Sequence, residues 1–307
     1  MTSTSTETGI YRWIIVLCSF LVLFVSNGIT LGGITVFDLE LLATLSEIEG
    51  REVALDELKI RDGLMFLTAG ILGMGAGWLA DRVGAKPLII VGLVLLALAN
   101  YAYASVQSLS EIYWIHVGLG LVLVLCGLII NVYLISRWFH KNRGLAIGLV
   151  LAGTSLGNAA FPQLNAWLLG SYDWREVFQM IALIPIALLP VAIFVLRSAP
   201  EDARKQEAAA EPVELSGYSL GEALRSRNFW IVCALAFCTF YSILGMTAVT
   251  FVFLREAEYG AQIAATGVTI LFIGGLVGKI ISGYLAETFG RKPMLLLEIG
   301  RASWGGG

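Results

Sequence analysis

The sequence predicts an all-α polytopic membrane protein, a bundle of helices that each cross a lipid bilayer. Of 307 residues, 57% are hydrophobic and only 14% are charged, whereas charged residues make up about 25% of a typical soluble domain. Several apolar runs reach the roughly 20 residues that a helix needs to cross about 30 Å of hydrocarbon. The runs are continuous and do not alternate, which favours helices over membrane strands.

Eight apolar runs are complete and a ninth begins at Met294. They lie at residues 14–37, 64–79, 88–104, 112–135, 145–169, 177–196, 229–254 and 263–286. A long polar connection follows the sixth run, which is typical of a domain boundary. We therefore predict a complete six-span N-terminal bundle (1–197), a cytoplasmic central loop (198–228) and a partial C-terminal bundle (229–307). A second polar stretch, 38–59, is interpreted as a soluble external segment with the pattern of a short amphipathic helix.

The distribution of Lys and Arg predicts the orientation of the spans. One set of connections, together with the N-terminus, carries Arg12, Arg82, Lys86, Arg137, Lys141, Arg143, Arg197, Arg204, Lys205, Arg225, Arg227, Arg291 and Lys292. The opposite set carries Arg51, Lys59, Arg61, Arg175 and Arg255. Because positively charged connections stay in the cytoplasm, we predict a cytoplasmic N-terminus.

Composition and motifs disfavour several other functions. The net charge of −3 gives no sign of nucleic-acid binding. Four cysteines lie inside apolar runs, without the spacing of a metal site or a disulfide framework, and are interpreted as packing residues: Cys18, Cys126, Cys233 and Cys238. Residues 274–280 look like a phosphate-binding loop but are one residue short and lack its Ser or Thr. The sequence predicts no cofactor, no metal and no enzyme active site.

The strongest pattern is a repeated loop. Residues 77–87 read GWLADRVGAKP and residues 283–293 read GYLAETFGRKP, with six of the eleven positions identical. The copies follow the second and the eighth span, which predicts two halves of like topology. The central glycine permits a tight turn, and the acidic and basic groups can pair with neighbouring helix ends.

This loop is similar to the signature between spans two and three of the major facilitator superfamily. The resemblance implies that the loop locks the two halves and gates their movement, through Gly77, Asp81, Arg82, Gly84 and Lys86 and, in the second copy, Gly283, Glu287, Gly290, Arg291 and Lys292. Ala85 stands where the family has an arginine, and Glu287 and Thr288 replace its Asp and Arg. The family has twelve spans, so we expect a C-terminally truncated member.

The entry to span five resembles a narrower branch, the monocarboxylate transporters and the bacterial oxalate–formate antiporters. It reads RWFHKNRGLAIG at 137–148, followed by AGTSLG at 152–157. Gly144, Gly148 and Ala152 form a stripe of small residues that lets helix backbones approach closely, and Pro162 is expected to loosen or kink the helix. The full packing set is Arg143, Gly144, Gly148, Gly153, Gly157 and Pro162. The acidic–glycine–aromatic motif of the animal branch is absent near span one, which favours a bacterial-type relative.

Lys279 lies inside span eight, eight residues before Glu287, which is about 12 Å of helix. A lysine within the membrane costs about 2.5–3.5 kcal/mol and usually marks a substrate path. The resemblance implies a role, because the family places a carboxylate-binding arginine four residues before the glycine of the second loop, here Gly283. We predict that Lys279 anchors the substrate; the alternative is a lysine that reaches back to the interface. Gly275 replaces an acidic partner found in relatives, which argues against proton coupling through that pair.

Three further polar residues are predicted to contact substrate: Asn27 in span one, Asn131 in span four and Tyr241 in span seven. These spans line the central cavity in the resembling fold. The alternative for each residue is an interhelical hydrogen bond of about 0.6 kcal/mol. His116 lies near the external end of span four and is interpreted as an interfacial histidine rather than a proton carrier.

Together these patterns predict a secondary active transporter of small organic anions, mono- or dicarboxylates, that works by alternating access as a symporter or antiporter. Its partners are the anion, a coupling proton or a counter-anion, and the lipid bilayer, and its expected location is the bacterial inner (plasma) membrane. Two alternatives stay open. One is a binding or regulatory membrane protein of the same fold that does not transport. The other is a drug-efflux facilitator, which is disfavoured because span four lacks the intramembrane arginine of such exporters.

Overall fold

The computed structural model describes residues 3–139, 142–197 and 220–289, and the side chains of 10–139, 142–197, 221–278 and 281. The elements in these ranges are helical. The α-helices are α1 (Ser3–Asn27), α2 (Asp38–Glu49), α3 (Leu55–Gly73), α4 (Ala76–Val83), α5 (Ala85–Tyr103), α6 (Leu109–Cys126), α7 (Leu128–Trp138), α8 (Arg143–Leu169), α9 (Trp174–Phe194), α10 (Leu220–Arg225), α11 (Arg227–Glu256) and α12 (Ala261–Phe289).

Seven helical segments in the described ranges are long and apolar enough to cross a membrane. An eighth forms when α3 and α4, which meet at 58°, count as one bent span. These segments coincide with the eight predicted runs, so the predicted all-α polytopic fold is confirmed. The predicted ninth span and most of the central loop lie outside the described residues.

Span one is longer than predicted. α1 continues through a π-helical turn at Gly28–Gly32 and a 3-10 turn at Gly33–Phe37 directly into α2. The whole segment, Ile10–Glu49, has 40 residues, and it rises about 60 Å, roughly twice the hydrocarbon thickness. The predicted short helix is present as α2, with Leu41 and Leu45 buried, but it is continuous with span one, and residues 55–59 begin α3. The external location of residues 38–59 stays a prediction.

Span five holds these irregular turns of span one in place. The Asn158 side-chain oxygen accepts a hydrogen bond from the Gly32 backbone nitrogen at 2.8 Å. Nδ2 of Asn165 donates to the Gly33 carbonyl, also at 2.8 Å. Pro162 lies between the two asparagines, and α8 continues unbroken through it. The polar side chains of α8 thus satisfy backbone groups where span one departs from α-helical geometry.

The close approach of span five to span one is made by glycines. A Cβ on Gly153 or Gly157 would collide with backbone carbonyl groups of α1, whereas no described atom lies within 4 Å of a Cβ on Gly144 or Gly148. The predicted stripe of Gly144, Gly148 and Ala152 is therefore not the face that meets span one. The two glycine pairs are offset by nine residues, about two and a half turns, which places them on opposite sides of α8.

Span four is interrupted at Gly127, between α6 and α7. Gly127 has φ −82° and ψ −156°, an extended conformation that leaves helical carbonyl groups without their usual partners. Nδ2 of Asn131 donates to the Cys126 carbonyl at 2.9 Å and to the Gly127 carbonyl at 2.8 Å. Asn131 therefore compensates for the break from the first turn of α7.

Spans one to six and spans seven and eight meet through α8 and α12. We name the end of the bundle at residues 77–87 the motif end. Away from the motif end, a small apolar cluster joins the two groups of spans: Val36, Ala166, Phe251, Ala264, Ala265 and Val268. Towards the motif end, Gly274, Gly275 and Gly278 of α12 have no described atom within 4 Å of a Cβ. The apolar cluster therefore places a contact between α8 and α12 at the end opposite the motif end.

Candidate functional site

At the motif end, the loop of residues 77–87 is tied to spans four and six. The Asp81 carboxylate accepts a hydrogen bond from the Tyr133 hydroxyl at 2.9 Å and lies 3.4 Å from Nη2 of Arg137. Nζ of Lys86 donates to the Ile193 carbonyl at 2.5 Å. The acidic and basic groups of the loop therefore contact the ends of neighbouring helices, which restrains the position of span two.

The turn within this loop requires a glycine. Gly84 has φ +89°, a value that residues with a Cβ rarely adopt, and its N–H donates to the Ala80 carbonyl at 2.9 Å. The Arg82 guanidinium lies 4.1 Å from the centre of the Trp78 ring, which is cation–π geometry. The gating role of the loop stays a prediction.

The structure describes only part of the second loop and of the predicted anchor Lys279. Gly283 and Glu287 lie on the backbone of α12, whereas residues 290–292 lie outside the described residues. Lys279 is also on α12, but its side chain lies outside the described part of the chain. The anchoring role of Lys279 therefore stays a prediction.

A cavity of about 230 Å³ lies between spans one, two and seven. Its polar wall residues include Thr30 and Thr35 of span one, Lys59 and Asp62 of α3, and Thr247 of α11. At about 30 Å³ per water molecule, this volume suits a ligand of a few heavy atoms. It is smaller than the roughly 300–1,000 Å³ of pockets that bind drug-sized molecules.

The predicted substrate residues fall in different places. Nδ2 of Asn27 donates to the Ser26 hydroxyl at 3.4 Å, and that hydroxyl lies 3.5 Å from the Cys126 carbonyl, which also accepts from Asn131. Asn27 and Asn131 thus share one buried polar network between spans one and four. Tyr241 lies elsewhere on α11 and is 72% exposed. Contact of these three residues with substrate stays a prediction.

A buried group of charged side chains beside the cavity escaped the sequence analysis. Asp38, the first residue of α2, and Arg61 of α3 are fully buried and form an ion pair. Nζ of Lys59 contacts the other Asp38 oxygen at 2.5 Å. The pairing compensates for burial, because an unpaired buried charge is strongly destabilising. Asp38, Lys59, Arg61, Asp62 and His116 are named the ion cluster.

The Asp62 carboxylate lies at the centre of the ion cluster. Its Oδ1 is 3.6 Å from Nε of Arg61 and 3.7 Å from Nε2 of His116, and its Oδ2 is 3.6 Å from Nζ of Lys59. These distances are longer than hydrogen bonds, and the two facing nitrogens of Arg61 and His116 have no hydrogen-bond partner among the described residues. Nδ1 of His116 lies 2.9 Å from the Tyr103 hydroxyl.

The sequence does not predict the burial of His116, and its place at the membrane interface stays a prediction. Its side chain is fully buried, because α6 packs against both α3 and α5. The sequence contained a signal for the ion cluster. No glycine or proline separates the end of span one from residues 38–49, which favours a continuous helix. Lys59 and Asp62 are also spaced i, i+3, on one face of a helix.

At the end opposite the motif end, polar side chains join spans five and eight. Nε2 of Gln163 donates to the Thr266 hydroxyl at 2.9 Å and lies 3.3 Å from that of Thr269. The Thr269 hydroxyl donates to the Ala159 carbonyl at 2.7 Å, and Gln262 donates to the Gln163 side-chain oxygen. Gln163, Gln262, Thr266 and Thr269 are named the polar zipper.

Comparison with known proteins matches residues 13–304 to the model of the Major Facilitator Superfamily. The chain is 28% identical to MFS-type transporter pytF of Aspergillus terreus, over 93% of this chain and 92% of that protein. It is 25% identical to the gallate transporter of Pseudomonas putida, over 96% of this chain and 70% of that protein. With the oxalate:formate antiporter of Oxalobacter formigenes it shares 27% identity, over 74% of this chain and 53% of that protein.

Among solved structures, a bacterial homologue of the human lysosomal transporter Spinster, in an inward-facing and unoccupied conformation, superposes with a TM-score of 0.68 at 20% identity. The match covers 91% of this chain and 63% of that chain, so this protein spans less than two thirds of its length. A likeness at this identity shows the fold alone.

Proposed function

Because the chain belongs to the Major Facilitator Superfamily, whose model matches residues 13–304, we propose that it transports small organic anions by secondary active, alternating-access transport. The substrates are mono- or dicarboxylates, and a proton or a counter-anion couples their movement. The observation that carries this proposal is the small cavity between spans one, two and seven, which has Lys59 in its wall.

The substrate class is supported by two relatives. The gallate transporter and the oxalate:formate antiporter are 25% and 27% identical to this chain, and both are named for carboxylates. A small cavity with a cationic wall residue suits the same class of ligand, because a carboxylate that leaves water needs a positive partner.

The size of the cavity suits the proposed substrate class. A volume of about 230 Å³ between the described residues accommodates a short carboxylate and lies below the range of drug-binding pockets. Lys279 is proposed as a second cationic group for the substrate, since it occupies the position of the carboxylate-binding arginine in the resembling family. Asn27, Asn131 and Tyr241 are proposed as polar contacts along the same path.

Alternating access is the transport mode that membership of the superfamily supports. The polar zipper joins spans five and eight at one end of the bundle. We propose that this contact forms in one of two alternating states. In the other state the zipper separates, and the motif ends of the two spans approach through their glycines.

The test is exchange of radiolabelled formate or oxalate into proteoliposomes preloaded with the unlabelled anion. We expect Lys279→Ala to lower the exchange rate at least about tenfold, which corresponds to about 1.4 kcal/mol. Lys279→Arg keeps the positive charge and should retain most exchange. Arg51→Ala, at an exposed connection, is the control.

Equal exchange rates in Lys279→Ala and Lys279→Arg would show that the positive charge at position 279 does not anchor the substrate. Binding of the anion without exchange would instead favour a non-transporting binding protein of the same fold. Exchange of neither anion, with no binding of either, would contradict the proposed substrate class.

A further inference from the structure

The charges of the ion cluster balance. Asp38 and Asp62 contribute two negative charges, and Lys59 and Arg61 contribute two positive charges. With a neutral His116 the sum is zero. Balance of this kind is what burial within a membrane protein demands, because a net charge away from water is costly.

The ion cluster and the cavity share two side chains. Lys59 and Asp62 line the cavity, and both belong to the cluster. A carboxylate that enters the cavity and contacts Lys59 therefore adds one negative charge to a balanced group. The balance returns if one proton binds at the same time.

We propose that the ion cluster is a proton-binding site, and that each carboxylate bound beside Lys59 brings one proton onto the pair formed by Asp62 and His116. This inference rests on the proposed transport of organic anions and adds the site of the coupling proton. It places that site at spans one, two and four, away from span eight, where Gly275 has no acidic side chain to take part.

The geometry selects Asp62 and His116 within the cluster. Both Asp38 oxygens have close cationic partners, Arg61 and Lys59, so that carboxylate stays ionised. The Asp62 contacts are all 3.6–3.7 Å, and the fully buried Nε2 of His116 faces it without a hydrogen-bond partner. A proton on either member can therefore form a hydrogen bond that is missing in the present arrangement.

Every element packed around this pair contributes to its charge environment. α3 supplies Lys59 and Arg61, α2 supplies Asp38, and α5 supplies the Tyr103 hydroxyl on the far side of the imidazole. Glu40 of α2 interacts electrostatically with Asp38 and with Arg255 of α11. The segment of α11 that lines the cavity contributes uncharged residues, 244–248.

Because anion binding and proton binding strengthen each other, two quantities can be measured in the wild-type protein. Calorimetric titration with formate in buffers of different ionisation enthalpy should give uptake of about one proton per bound anion. The affinity for formate should fall about tenfold per pH unit between about pH 6 and about pH 8, because the proton that accompanies the anion becomes scarcer. Formate binding without proton uptake would overturn the inference while leaving the proposed substrate class intact.

Asp62→Asn tests the site itself. The amide mimics the protonated acid, so we expect formate to bind at high pH about as tightly as it binds the wild type at low pH, without proton uptake. Asp56→Asn is the matched control, since Asp56 is an exposed aspartate on the same helix, and it should behave as the wild type. Proton uptake that persists in Asp62→Asn would overturn the assignment.

A charge-balanced variant covers the case in which Asp62→Asn does not fold. Lys59→Met combined with Asp62→Asn keeps the net charge of the cluster at zero. It should take up no proton and bind formate at least about tenfold more weakly at every pH. One proton per anion in this double variant would contradict the proposal, and failure of the wild type to bind any carboxylate would contradict both this inference and the proposed function.

Discussion

Arg61 is the bulkiest fully buried side chain in the described part of the protein, and its burial depends on one carboxylate. Asp38 lies 23 residues earlier in the chain and reaches Arg61 because α2 continues span one as one helical segment while α3 returns beside it. An arginine in this position is stable only with its partner, since the guanidinium remains charged at any accessible pH.

Loss of either partner should therefore be severe. We expect Asp38→Asn to lower the free energy of unfolding by about 3–5 kcal/mol, because it leaves Arg61 buried without its main counter-charge. The measurement is thermal unfolding of the purified protein in detergent, monitored by fluorescence-detected size-exclusion chromatography.

The control for this prediction lies at the exposed connection between α2 and α3. Arg51 pairs with Glu49 and Glu57, yet Arg51→Met should change stability far less, because exposed ion pairs contribute little. A combined Asp38→Leu and Arg61→Met variant should recover part of the lost stability. A milder effect for Asp38→Asn than for Arg51→Met would show that the buried pair is not a stabilising feature.

At the scale of helices, the contact between spans one and five depends on two glycines. Gly153 and Gly157 let the backbone of α8 approach carbonyl groups of α1 at a distance that a Cβ would prevent. The neighbouring asparagines of α8 then reach the irregular turns of span one. Packing and polar compensation at this contact therefore belong to the same face of α8.

A larger side chain at this contact should separate the two helices. We expect Gly157→Leu to lower the free energy of unfolding by about 1–3 kcal/mol through overpacking. Gly148→Leu, on the open side of the same helix, should stay within about 0.5 kcal/mol of the wild type. Equal thermal shifts for the two variants would argue against the close approach.

At the scale of the whole molecule, contacts between described residues join the two groups of spans at the end opposite the motif end. The polar zipper and the apolar cluster around Phe251 hold spans five and eight together there. Side-chain hydrogen bonds of this kind can break in water without a large net loss, because their groups find water partners. The zipper therefore suits an interface that opens and closes.

A disulfide across the polar zipper should stop exchange. We would replace the exposed Cys233 and Cys238 with serine and introduce Gln163→Cys together with Thr266→Cys. Oxidation should lower formate exchange at least about tenfold while formate binding persists, and reductant should restore exchange. Gln163→Cys alone is the control. Full formate exchange by a completely cross-linked protein would show that exchange does not require the polar zipper to open.

Much of the fold could be predicted from the sequence, because membrane spans depend on local composition. A helix in hydrocarbon satisfies its own backbone groups, so about 20 apolar residues mark a span wherever they occur. The repeated loop could be recognised for a similar reason, since its turn requires a positive φ at position 84, which glycine adopts readily. These features require no knowledge of which helices are neighbours.

The sequence by itself thus determined the eight spans, the family and the loop at residues 77–87. Only the tertiary structure decided which charges are buried, which face of α8 is packed, and where the cavity lies. The physical reason is that Lys59, Arg61 and His116 look like residues near helix ends until Asp38 and Asp62 are placed beside them. Whether a charge is exposed or buried depends on contacts between helices that are distant in sequence, and periodicity within one helix does not contain that information.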